Sequence, residues 1–214
     1  MVLILVINVK KIIIIDYGCG NIVSLQRAIE KIGFRSLLSN KQEEISEATH
    51  LILPGVGAFG NAMKLLKQSK LDQAIVRHAS KNKPLLGICL GMQLLLSKSY
   101  EFGEHQGLDL IKGNVVKLIS DTINQIKIPH IGWSEIKFHK LNKYYKNFDK
   151  KNFYFVHSYI ANTLNPDDTI AFSEISNIKI PAIINYKNIT GFQFHPEKSR
   201  EIGLKLINLF CNQN

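Results

Sequence analysis

Cys89 stands between Gly87 and Gly91 in the stretch PLLGICLGMQLLL (84–96), which is otherwise apolar apart from Pro84 and Gln93. A β-rich run ending at Ile88 and an apolar helical run starting near Gly91 would put this cysteine on a sharp strand-to-helix turn. Small residues two positions to either side let such a turn close, which is the logic of the G-x-S-x-G elbow with sulfur in place of oxygen. The free N–H groups at a helix start favour thiolate over thiol. The same residues also describe a packing cysteine, because free cysteine is among the most buried residue types. The segment alone leaves both readings open.

A sulfur nucleophile needs a base. Of seven histidines, His195 stands out in TGFQFHPEKS (190–199), at the end of a short alternating strand. Pro196 stiffens the backbone after it, and Glu197, two residues on, can orient the imidazole. Cysteine, histidine and carboxylate then form a triad in the general sense. Acyl transfer also needs donors for the oxyanion. PGVGAF (54–59) leaves the amides near Gly55 and Gly57 accessible, and the amide after the nucleophile, Leu90, is the second donor. Taken singly, H-x-E is a loop histidine beside a solvated acid, and G-x-G is a plain turn.

These residues need a scaffold that delivers them to one place. KIIIID (11–16) is the continuous β-branched run of a strand covered on both faces. NIVSLQRAIEKIG (21–33) spaces Ile22, Leu25, Ile29 and Ile32 as an amphipathic helix. FRSLL (34–38) and HLILPGVG (50–57) predict second and third strands. Residues 62–83 predict one or two helices, PLLGI (84–88) a fourth strand, and GMQLLLSK (91–98) the beginning of another helix. Such alternation predicts an α/β fold with an open, mostly parallel sheet flanked by helices. In these sheets ligands bind beyond the carboxyl ends of the strands. The turns at 17–21, 54–58 and 87–91 should therefore share one edge.

The second half changes to short β segments at 113–119, 134–138, 152–161, 169–174 and 180–194. This predicts an added antiparallel region packed onto the first sheet. SREIGLKLINLF (199–210) closes as a helix with Ile202, Leu206 and Phe210 on one face. No repeat or linker interrupts the chain, so one domain over 1–214 is expected, with residues 1–10 an added strand or an N-terminal extension.

The 214 residues, 45% hydrophobic and 21% charged, describe a globular chain able to bury a core. A net charge of +10 permits an acidic partner, but the lysines are scattered rather than massed. The three cysteines, Cys19, Cys89 and Cys211, form neither a CxxC pair nor a disulfide framework, which favours a reducing, cytoplasmic setting. The apolar N-terminus is broken by Asn8, Lys10 and Lys11, short of the ~20 residues needed to span a bilayer. Neither a metal cluster nor a cofactor is implied.

In this order and spacing, PGVGAF, GICLGMQLL and GFQFHPEKS resemble the class I glutamine amidotransferases, whose sheet is flavodoxin-like. IIDYGCGN (14–21), GLDLIKGNVVKL (107–118), IPHIGW (128–133) and YFVHSY (154–159) are similar, within that family, to the glutaminase subunits of imidazole glycerol phosphate synthesis. The likeness covers about residues 11–210. It implies that Cys89 attacks the side-chain amide of L-glutamine to form a thioester, with His195 shuttling protons and Glu197 orienting it. It implies that Gly55, Val56 and Gly57 form an oxyanion loop that is subject to rearrangement on activation. Gln93, Glu101, Ser158 and Tyr159 match positions lining the glutamine pocket, Glu101 facing the substrate ammonium. Trp133 and Lys198 match positions at the interface with a partner, a (β/α)8 cyclase subunit that receives the ammonia within a heterodimer.

Three features depart from the family. Residues 1–10 precede its usual start, Ser134 stands where Asn usually follows GW, and 138–152 is long and lysine-rich. Paralogues that supply ammonia for amidine formation on surface-polysaccharide or flagellin sugars share the other motifs. A stand-alone γ-glutamyl hydrolase would share the fold but act without a partner. A nucleic-acid binder would use Lys137, Lys140, Lys143, Lys146, Lys150 and Lys151 with the aromatics between them; the blander reading is a solvated loop, and neither nucleic acid nor membrane is expected as a partner. His50, His78, His105 and His139 have no partner by spacing; His130 and His157 lie within the family-like motifs, where a supporting hydrogen bond is expected and a pocket or interface role stays open.

Overall fold

The computed structural model of the chain describes residues 10–119, 127–140 and 143–213. The first half is β1 (Ile12–Ile15), α1 (Ile22–Lys31), β2 (Ser36–Ser39), α2 (Gln42–Glu47), β3 (His50–Leu53), α3 (Phe59–Gln68), α4 (Leu71–Ser80), β4 (Leu85–Ile88) and α5 (Leu90–Leu94). Then follow β5 (Leu96–Ser99), β6 (His105–Gln106), β7 (Ile111–Lys117), β8 (His130–Phe138), β9 (Lys151–His157), β10 (Tyr159–Thr163), β11 (Thr169–Ile175), β12 (Ile178–Tyr186), β13 (Ile189–Phe192) and α6 (Arg200–Cys211).

Nine strands form one sheet in the order β2-β1-β3-β4-β13-β12-β11-β8-β9. The five from β2 to β13 run parallel, and the remaining pairings are antiparallel. The α/β class and mostly parallel core therefore match the sequence reading. The continuous apolar runs follow from burial on both faces. Ile13 and Ile15 face one cluster with Phe59, Met63, Leu66 and Ile75 from α3 and α4. Ile12 and Ile14 face the other, with Leu25 and Ile29 from α1 and Leu206, Ile207 and Phe210 from α6. Ile202 of α6 is only partly buried beside them.

Three expectations change. The antiparallel region is not a layer laid on the first sheet: β8, β9, β11 and β12 continue it. Among the described residues, β10-β7-β5-β6 form a second sheet, which packs through Leu96, Ile111, Val115 and Ala161 onto the first cluster. The helix predicted over 91–98 is one short turn, α5, and Leu96–Ser99 is a strand. Four leucine-rich residues carry no period that separates a buried helix turn from a buried strand. The run 152–161 is two strands in different sheets, parted at Ser158. Helix α2, buried only through Ile45, was not anticipated.

Residues 1–9, the bulk of the supposed extension, lie outside the described residues. Among the described residues no helix is long and apolar enough to cross a membrane.

Candidate active site

Strands β1, β3, β4 and β13 are parallel neighbours, so their carboxyl ends meet at one edge. The turns after β1, β3 and β4 share that edge, as expected. Tyr17 shows how close they come: its buried hydroxyl donates to the Pro54 carbonyl at 2.8 Å. The end of β13 adds a fourth segment there, carrying His195.

Cys89 is the residue between β4 and α5, with φ 54° and ψ −112°. A side chain other than glycine is strained at this backbone geometry, and such strain collects at functional turns. The turn is made rigid by contact. A Cβ on Gly91 would lie 1.8 Å from the Leu53 carbonyl oxygen, and one on Gly55 would lie 2.8 Å from the Gly91 amide nitrogen. These two glycines let the β3 turn and the elbow press together, where any side chain would collide with backbone.

Cys89 is 7% exposed and its thiol donates to the Val156 carbonyl at 3.7 Å. It opens onto a cavity of about 280 Å³, a size suited to an amino acid. His195 lines the same cavity. Its Nδ1 lies 2.8 Å from Glu197 Oε1, with both side chains 3% exposed. Ser199 donates to the His195 carbonyl at 2.6 Å, and His195 N–H donates to Tyr154 at 2.9 Å, so the residue is fixed at its backbone too. Burial opposes a charged imidazole, but Cys89 and Glu197 outweigh it and push His195 up to about 10. An imidazole so placed readily takes a proton from a thiol. Its Nε2 is buried and without a hydrogen-bond partner, as an atom awaiting a reacting group would be.

Val56, Gly57, Leu90, Gln93, Glu101, Ser158 and Tyr159 also line this cavity, together with Pro129, Val156 and His157. Gly55 does not; it packs against the elbow instead. Glu101 is engaged as well as available: its Oε2 accepts from the Phe59 amide at 2.6 Å, satisfying an open N–H at the start of α3. Trp133 and Lys198 stand away from the cavity. Trp133, 44% exposed on β8, packs edge-on to Tyr154 at 6.0 Å, under Arg200 at 5.0 Å. Lys198 lies over Tyr154 at 5.9 Å. The Tyr154 carbonyl is the one that holds His195, so this surface cluster sits directly behind the base.

The supporting roles expected of His130 and His157 are present. His130 Nδ1 is 2.9 Å from His157 Nε2, His130 Nε2 is 2.9 Å from Ser134 Oγ, and His157 Nδ1 is 3.0 Å from the Tyr159 carbonyl. Burial pushes His157 down to about 3 and lowers His130 too, so both rings are neutral. Ser134, the departure from GWN, is thus a buried network's outer end. His157 also borders the cavity, because the break of 152–161 at Ser158 turns it there.

Within the lysine-rich stretch, Tyr145 and Phe148 are buried and Phe138 stacks on Tyr145 at 5.3 Å. Lys137 lies near Glu135 and Glu174, and Lys140 pairs with Asp167 at 3.2 Å. Phe138, Tyr145 and Phe148 pack into the core, whereas Tyr144 is exposed with Lys143 over its ring at 5.0 Å; residues 141–142 lie outside the described residues.

Comparison with known proteins places the chain in a family. The family model described as glutamine amidotransferase class-I matches residues 13–213. The chain is similar to the imidazole glycerol phosphate synthase subunit HisH of Lactococcus lactis subsp. lactis (strain IL1403), 46% identical over 95% of this chain and 99% of that one. The subunit of the same name from Aquifex aeolicus (strain VF5) is 45% identical over 92% and 94%, and that of Bacillus subtilis (strain 168) 41% over 92% and 93%. Among solved structures, PurLQS from Thermotoga maritima shares the fold with a TM-score of 0.71 at 16% identity, covering 95% of this chain and 98% of that one.

Proposed function

The chain belongs to the class-I glutamine amidotransferases, as a glutaminase subunit of imidazole glycerol phosphate synthase, and from that premise we propose how its residues divide the work. The observation that carries the assignment is Cys89, on a strained turn, sharing one cavity with a His195 held by Glu197.

Cys89 Sγ attacks the side-chain amide carbon of L-glutamine while His195 takes its proton. The resulting oxyanion is met by the Leu90 amide at the start of α5 and by amides of Val56 and Gly57, which line the cavity, with Gly55 packing the turn against the elbow. His195 then protonates the departing nitrogen, ammonia leaves, and a γ-glutamyl thioester remains on Cys89. Water, deprotonated by His195, opens the thioester to glutamate and frees the thiol. Glu197 holds the ring in one tautomer and stabilises the imidazolium at each transfer. Gln93, Glu101, Ser158 and Tyr159 hold the α-amino and α-carboxylate end of the substrate.

The ammonia passes to a cyclase subunit of (β/α)8 fold in a heterodimer. Free ammonia would be protonated and lost in water, so hydrolysis is best coupled to a docked acceptor. The exposed Trp133, Lys198 and Arg200 around the half-buried Tyr154, backed onto His195, support this as the docking side. Three free cysteines fit a reducing, cytoplasmic setting.

The test is to purify the chain with candidate cyclases and follow glutaminase activity with each acceptor present. Strong stimulation by the histidine-pathway acceptor is expected. Stimulation only by a nucleotide-sugar amidination system would overturn the assignment of the partner.

A further inference from the structure

Gln193 lies two residues before His195, is 0% exposed, and plays no part in the mechanism above. Its side-chain amide belongs to a chain of hydrogen bonds whose direction one atom fixes. The carbonyl oxygen of Tyr159 can only accept. It lies 3.0 Å from the amide end of Gln93, so nitrogen, Nε2, must face it. The second hydrogen on that Nε2 points to Gln193 at 3.1 Å, so the Gln193 atom there must be its oxygen, Oε1. Gln193 Nε2 is thereby turned toward Cys89 Sγ, 4.0 Å away. On its other side the same carbonyl accepts from His157 Nδ1, which makes His157 Nε2 an acceptor for His130 Nδ1, and His130 Nε2 an acceptor for Ser134. Every member of this buried run is polarised by Tyr159.

We propose that Gln193 is a positioning residue for the Cys89 thiolate, its side-chain N–H held toward Sγ by Gln93 and the Tyr159 carbonyl. The proposal rests on the reading of Cys89 as the nucleophile. While the sulfur carries its proton it donates to Val156. Once His195 has taken that proton, the sulfur can only accept, and a carbonyl is then the wrong neighbour. A buried donor already aimed at the sulfur needs no reorganisation at that moment. Gln193 does not line the cavity and so touches no substrate itself, while Gln93, which does line it, keeps its bond to the Tyr159 carbonyl when Gln193 is replaced.

The test uses full-length Gln193→Met and Gln193→Glu, with the pH profile of Cys89 alkylation by iodoacetamide read by peptide mass spectrometry. A hydrogen bond to a charged atom is worth roughly tenfold or more, so the Gln193→Met profile moves to higher pH by about one unit. The kcat for glutamine falls about tenfold while KM stays within about twofold, a split that general loosening of the site would not give. Gln193→Glu keeps an oxygen for Gln93 but brings an acid to the sulfur, and its profile moves further up. A parent-like profile in a cooperatively melting Gln193→Met overturns the proposal; if that variant does not fold, a parent-like profile in Gln193→Glu does. Cys89→Ala, run alongside, separates the two levels. Turnover surviving in Cys89→Ala removes the nucleophile itself, whereas unchanged Gln193 variants beside an inactive Cys89→Ala remove only the positioning role.

Discussion

The backbone amide of Cys89 donates to the carbonyl of Phe192 at 2.7 Å. That bond continues the parallel ladder in which Ile88 pairs with Phe192, so the last rungs of β4 and β13 set the sulfur beside the imidazole three residues further on. The spacing between nucleophile and base is thus a property of adjacent strands rather than of loops.

Glu197→Gln keeps the side chain's shape but removes the charge that favours the imidazolium. Turnover of glutamine should fall by about a hundredfold or more, by analogy with other triads that lose their carboxylate. Steady-state kinetics should show the loss in kcat, and NMR titration should show the His195 pKa falling from its raised value. Parent-like kcat would remove Glu197 from the triad.

Gly91→Ala drives a methyl into the Leu53 carbonyl, a backbone atom that cannot swing aside. Overpacking of this kind costs about 1–3 kcal/mol or more. Thermal melting should show a midpoint lower by several degrees, and the elbow's displacement should remove glutaminase activity as well. Unchanged melting would mean that β3 and the elbow are not pressed together.

Glu101→Ala should act on two levels, because Oε2 both borders the cavity and accepts from Phe59. The KM for glutamine should rise, and losing the acceptor at the start of α3 should cost about 1 kcal/mol. Glutamine titration and thermal melting read the two effects separately. A rise in KM with no change in melting would show that the bond to Phe59 contributes nothing.

Three buried histidines should make the fold acid-sensitive. Burial holds His50 and His78 down to about 4 and His157 to about 3. Each is neutral when folded but takes a proton in the unfolded chain near pH 6.5. The unfolded state therefore binds more protons below that pH, and stability falls as pH drops from about 6.5 toward 4. His195 acts oppositely: its raised pKa favours the fold below about pH 6.5, and that contribution fades as pH climbs toward 10. With these three, and His130 whose pKa burial also lowers, against one, the melting midpoint at pH 5 should lie several degrees below that at pH 7. A flat or rising midpoint would contradict the neutral assignment of these rings.

Cys89, His195 and Glu197 stood out as breaks in an otherwise strong pattern, glycines around a cysteine and a proline and an acid after a histidine, but each taken singly kept a structural reading, and the fold is what brings Cys89 and His195 to one cavity. The parallel core was legible because doubly buried strands read as unbroken Ile and Leu. The same uniformity hid the switch from α5 to β5, where only leucines mark the change. Nothing local tells that β8, β9, β11 and β12 extend the first sheet, since pairing partners lie far apart in sequence. The contact of Glu101 with Phe59 and the chain from Ser134 to Gln193 are likewise long-range. Gln193 left a faint local signal, an amide between two buried phenylalanines, which needs a partner wherever it goes.

The most direct measurement is ammonia release from glutamine by Cys89→Ala in complex with the cyclase, beside the parent complex and with melting curves for both. The account predicts a folded, docked variant whose release is at background. Release at the parent rate would contradict the thioester at Cys89, and with it the role given to every residue around it.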